Sequence, residues 1–153
     1  MRNTILIAVL SLIIISCSKD KFKIEPQIKF KSIKPNTASS SITRDNLNIP
    51  VLTVSVTDGN GDLGYIAGKD TSYIFIKNLT TNRQDSFVLP NLSSVAGKNF
   101  EADIAVTLFN VLGGSSRPRP KTDTLFFEVY VRDFAKNKSN VIVSNDPLFY
   151  FTP

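Results

Sequence analysis

The chain contains no histidine and no tryptophan, and only one cysteine and one methionine among its 153 residues. Without histidine, the side chain that most readily exchanges a proton near neutral pH is missing. Ser-His-Asp and Cys-His nucleophiles are excluded with it. Zinc or copper centres built on imidazole or thiolate go too, and a lone cysteine cannot close an internal disulfide. The fold must therefore rest on its hydrophobic core, and only hard-cation sites made of oxygen ligands stay open. Long apolar runs are also absent. The longest, Ile5 to Ile15, is about eleven residues and is followed at once by Lys19, Asp20, Lys21 and Lys23, whereas a membrane-spanning helix needs roughly 20. Blocks of one charge sign are missing as well. The net charge of +5 is spread along the chain, without the concentrated basic patch and interleaved aromatics of nucleic-acid binders, so no nucleic-acid partner is expected.

What is present starts with Met1-Arg2-Asn3, the apolar run, and the small residue Ser16 before Cys17. A basic start, an apolar centre and a small residue are the parts of a secretory signal peptide. The four residues Ile14-Ile15-Ser16-Cys17 resemble the lipobox of bacterial lipoproteins. The resemblance implies that residues 1–16 form a cleaved signal peptide and that Cys17 carries palmitate-type acyl chains. A tether over 17–23 would then lead into a domain over 24–153. Each buried CH₂ of an acyl chain contributes about 0.8 kcal/mol, and two or three chains hold far better than one. Ordinary cleaved secretion and a retained N-terminal helix are the competing readings. Ser18 does not look like the aspartate that retains some lipoproteins in the inner membrane. The outer membrane is therefore the expected location, with either leaflet open.

Past the tether the patterning is β throughout, with no helix-period stretch. Alternating segments run over Ile28 to Lys34, Pro50 to Thr57, Ser72 to Lys77, Ser86 to Leu89, Phe100 to Phe109 and Thr122 to Arg132. A last one, Asn140 to Val143 with Leu148 to Phe151, is broken by Asn145-Asp146-Pro147. In the longest, Leu125, Phe127, Val129 and Val131 share one face and Phe126, Glu128, Tyr130 and Arg132 the other. Thr37 to Asn46 reads as a Ser/Thr/Asn-rich loop, and Gly113 to Lys121, with Pro118 and Pro120, as an irregular one. About seven strands separated by turn signals predict an all-β, antiparallel two-sheet sandwich.

The stretch Val129-Tyr130-Val131-Arg132-Asp133-Phe134-Ala135-Lys136-Asn137-Lys138-Ser139-Asn140 is similar to the V-x-V-x-D-x-A-G-N-x-S pattern of bacterial immunoglobulin-like domains. It departs at Lys136, where that family has glycine. The resemblance covers roughly Pro26 to Phe151 and implies an immunoglobulin-like β-sandwich, of a kind found in small outer-envelope lipoproteins. In such a sandwich the loops at 37–46, 78–84 and 110–121 share one pole. The Asp58–Gly64 loop and the loop after Asp133 share the other, where the tether attaches.

Two constellations carry chemistry. Asp58-Gly59-Asn60-Gly61-Asp62-Leu63-Gly64 places oxygen side chains at alternate positions of a glycine-rich loop, which can curl round one Ca²⁺. It is similar to the opening of an EF-hand loop, but Leu63 stands where glycine is needed and Lys69 where the twelfth-position acid belongs, so an EF-hand is excluded. A sandwich-type calcium site would use Asp58, Asn60, Asp62, Asp70 and Asp133. The competing reading is a plain turn built of residues that favour turns for their own backbone reasons. The second constellation is Arg117, Arg119 and Lys121, which alternate with prolines and suit a partner's carboxylates or an acidic glycan. A charged, solvated loop is the alternative. Phe126, Tyr130 and Tyr150 could form an aromatic platform for sugars.

No opposed pair of acids in a cleft is apparent, so an enzyme is not expected. The sequence predicts a lipid-anchored, non-enzymatic cell-envelope module that scaffolds, adheres or binds a partner, with glycan capture for nutrient uptake as the alternative.

Overall fold

The computed structural model describes residues 21–45, 47–66, 68, 70–92 and 97–153. The expected signal peptide, Cys17 and the first part of the tether lie outside these residues. The described chain is an all-β domain with several antiparallel sheets, and among the described residues no helix is long and apolar enough to cross a membrane.

One sheet has three strands in the order β1 (Gln27–Lys34), β3 (Val51–Asp58), β8 (Phe100–Thr107). A second has four, in the order β11 (Ile142–Val143), β10 (Phe127–Arg132), β6 (Tyr73–Asn78), β7 (Gln84–Val88). A third joins β2 (Thr37–Ser39), β12 (Leu148–Thr152) and β9 (Lys121–Leu125). A short hairpin, β4 (Tyr65–Ile66) with β5 (Asp70–Thr71), stands apart. Every pairing is antiparallel except that of β2 with β12.

The period-2 rule explains which faces meet. Leu52, Val54 and Val56 on β3 are fully buried, as are Ile74 and Ile76 on β6 and Phe127, Val129 and Val131 on β10. Together with Ile28, Ile104 and Leu125 they form one hydrophobic cluster, so the sheets share a single core.

Several expectations need correction, among them the closing segment Asn140 to Phe151, which is two strands in different sheets, β11 beside β10 and β12 between β2 and β9. Thr37 to Asn46 is not loop throughout, because Thr37–Ser39 pairs with Phe149–Phe151. That partner lies at the far end of the chain, where no local pattern signals it. The segment Thr122 to Arg132 keeps its expected alternation but is two strands. The break at Phe126 hands the chain from the sheet of β12 to the sheet of β6.

Lys21 to Lys23, expected as tether, is fastened to the domain. The backbone N–H groups of Lys21 and Phe22 donate to Asn99 Oδ1 at 2.8 and 3.2 Å. Gly59 N–H donates to the Lys23 carbonyl at 2.6 Å. Gly59 suits this seam, since a Cβ there would lie 2.6 Å from that same carbonyl oxygen and 2.8 Å from the carbonyl oxygen of Phe22.

Candidate functional site

Both long inward rows end in an aspartate. On β3 the row Leu52, Val54, Val56 continues to Asp58. On β10 the row Phe127, Val129, Val131 continues, one step past the strand, to Asp133. Each aspartate occupies the next core-facing position, and each is completely buried. The Asp62 carbonyl accepts the Phe134 N–H at 3.0 Å and so ties the two strand ends together.

The environments of these acids are not equivalent. Asp133 is held by Asn137, whose backbone N–H and side-chain Nδ2 donate to its two oxygens at 2.7 and 2.8 Å. Among the described residues, neither carboxylate oxygen of Asp58 has a hydrogen-bond partner, nor does Oδ1 of Asp62. Burial and then the neighbouring Asp62 charge push the Asp58 carboxyl up to about 7, with Asp133 adding to the rise. Burial raises Asp133 as well, while Asn137 pulls the other way.

The structure thus brings Asp58, Asp62 and Asp133 together and leaves the other two candidates outside. Asn60 is exposed at the tip of its turn, and Asp70 lies exposed on β5 opposite Ile66. Adjacency in a loop sequence does not fix side-chain direction, whereas phase within a strand does. Among the described residues no group of three or more histidine, cysteine or acidic side chains is arranged as a closed metal cage, so Asp133 lies near Asp58 and Asp62 without closing round a common point with them. The arrangement is a contacting carboxylate pair with a third buried acid in its field.

The Lys136 position settles one local question. Its φ is 70°, the left-handed conformation that glycine adopts without cost. The tight turn therefore forms despite the lysine, and it places Asn137 against Asp133.

At the opposite pole a different aspartate organises the loop. Asp123, on β9 and in phase with Leu125, is buried and accepts from Ser115 Oγ at 2.7 Å, Ser115 N–H at 3.0 Å and Arg117 Nη2 at 2.6 Å. Lys121 Nζ stands 3.7 Å away and also donates to the Ser115 carbonyl. The Ser115 and Arg117 hydrogen bonds pull the Asp123 carboxyl down to about 2. Two of the three cations expected to face a partner, Arg117 and Lys121, are accordingly engaged by a buried acid. Arg119 has no ion pair among the described residues.

Arg119 lines a hollow of about 360 Å³ with Ser40, Thr81, Arg83, Lys121 and Tyr150. Burial raises the Tyr150 hydroxyl above its ordinary value, and Arg83 and Arg119 act against that rise. The three loops expected at this pole do meet: Arg44 donates to Asn110 Oδ1 at 3.1 Å, and Arg83 to the Leu112 carbonyl at 2.8 Å. Sequence reasoning missed Arg83 and Asn78. Asn78 is buried at the end of β6 and donates to the Val111 and Gly113 carbonyls at 3.0 and 3.1 Å.

The expected aromatic grouping is replaced by another. Tyr150 faces inward and is buried. Tyr130 instead stacks on Phe75 with ring centres 4.7 Å apart, and Lys138 Nζ sits 4.0 Å from its centre. A ring stacked on a neighbour and covered by an ammonium group is poorly placed to receive a sugar face.

Compared with protein-family models, curated proteins and solved structures, the chain matches none of them.

Proposed function

We propose that the protein is a lipid-anchored, non-enzymatic module of the bacterial outer envelope, built as an immunoglobulin-like β-sandwich. Several features support the fold reading. β9 and β10 are separated by one residue and act as one long strand shared between two sheets. β2 pairs in parallel with the last strand, and the apolar faces meet in one cluster.

The observation that carries the function is the fastening of Lys21 to Lys23 at the pole of the Asp58–Gly64 loop. Four peptide units separate Cys17 from Lys21 and reach at most about 14 Å. A lipidated Cys17 would hold that pole against the bilayer and turn the Arg119 hollow away from it. The module then presents a rigid, basic recess outward while its other end is anchored.

Mass spectrometry of the native protein tests the anchor. A first residue Cys17 bearing acyl chains is expected, together with loss of membrane association in Cys17→Ser. An intact Met1 or a free thiol at Cys17 overturns it.

A second reading, capture of an acidic glycan, is favoured by Arg119, which has no ion pair among the described residues, beside Arg83 and Tyr150. Binding of one uronic-acid-type or sulfated class on a glycan array, lost in Arg119→Glu, supports it. No binding at millimolar glycan removes it.

A further inference from the structure

We infer that Asp58 and Asp62, with Asp133 beside them, form a binding site for one Ca²⁺. Asp58 is completely buried, yet among the described residues both its carboxylate oxygens lack partners, and one oxygen of the neighbouring Asp62 is equally bare. Buried carboxylates are ordinarily hydrogen-bonded, paired with a cation or bound to a metal. None of the described ion pairs reaches these three acids: Lys21, Lys31, Arg117 and Lys121 are committed to Glu101, Asp103 and Asp123. The rest of the pole holds no compensating positive group among the described contacts. A divalent cation supplies what is missing.

The donor set selects which cation. Only oxygen ligands are present, which disfavours zinc and copper, and glycine-rich loops allow the variable geometry that calcium accepts and magnesium resists. Gly61 and Gly64 adopt positive φ of 72° and 120°, letting the chain fold back so that Asp62 meets Asp58. Asp133 is already oriented by Asn137 and keeps further acceptor capacity on both oxygens. Asn60 and Asp70 take no part. The inference does not depend on lipidation of Cys17, because it concerns the folded domain alone.

A neutral acid pair sharing a proton is the alternative, and the same experiment separates the two. The full chain, in detergent and freed of metal with EDTA, is titrated calorimetrically with CaCl₂ near neutral pH. One Ca²⁺ should bind with a Kd on the order of 10⁻⁴ to 10⁻³ M, the range of extracellular modules. Saturating calcium should raise the melting temperature by roughly 4 °C relative to EDTA. Asp58→Asn and Asp62→Asn should each weaken binding at least about 10-fold, whereas Asp70→Asn should leave it unchanged. Identical melts in calcium and EDTA overturn the site, as does wild-type affinity in the Asp62→Asn variant or a response to magnesium alone. Asp62 is only partly buried, so that variant keeps the test decisive even if Asp58→Asn folds poorly.

Discussion

Asp58 and Asp123 are the same residue type at opposite ends of one core, and they have opposite fates. Each continues an inward row of aliphatic side chains, and each is buried. Asp123 is surrounded by Ser115, Arg117 and Lys121 and is held ionised. Asp58 meets another acid, Asp62; no described ion pair reaches it, and burial pushes its carboxyl up to about 7. Burial alone therefore does not decide whether an acid supports a fold. The groups the loops deliver to it do: Asp123 is matched by cations, whereas no ion pair among the described residues reaches Asp58.

The most damaging way to break this contrast is at the Asp123 pole. Asp123→Ala leaves Lys121, whose side chain is only 9% exposed, without its counter-charge. Removing one partner of a buried pair should cost about 3 kcal/mol in urea denaturation. The same carboxylate sets an acid limit. Its folded pKa of about 2 lies below the ordinary value, so its contribution is present above pH ~4 and is lost as pH falls towards 2. Acid unfolding of Asp123→Asn should lack that component.

At the other pole the sign reverses. In EDTA near and above pH ~7, Asp58→Asn should stabilise the protein by about 1–2 kcal/mol, because it removes a carboxyl whose ionisation burial and the neighbouring Asp62 oppose. The metal-free wild type should correspondingly lose stability as pH rises from about 4 through 7, since the folded state holds a proton the unfolded chain has released. A destabilised Asp58→Asn in EDTA would show that the carboxylate has a partner after all.

The smallest effect concerns the turn that positions Asp133. Lys136→Gly relieves a left-handed backbone at a position where lysine has a Cβ, and should add about 1 kcal/mol to stability. An unchanged denaturation midpoint would mean that the turn tolerates lysine without strain.

Much of this was readable in the sequence wherever period 2 operates. The alternation of Leu52, Val54 and Val56, and that of Leu125, Phe127, Val129 and Val131, led directly to the core. Extending each row by one step would have identified Asp58, Asp133 and Asp123 as inward-facing. Grouping acids by loop membership instead added Asn60 and Asp70, which point elsewhere. Arg117 and Lys121 resembled a free basic patch because Asp123, only two residues beyond Lys121, was read with the strand that follows the loop and not as the loop's partner. The β2–β12 pairing and the switch of sheets at Phe126 depend on contacts between distant segments, for which local pattern carries no signal.

The seam at Gly59 has a mechanical side. Any pull delivered through the N-terminus reaches the bonds of Lys21, Phe22 and Lys23 to Asn99 and Gly59 before it reaches the first strand. These few contacts act as a collar that yields in sequence and spares the ladder behind it. A bulkier residue at 59 would loosen the collar and pass the load straight to β1.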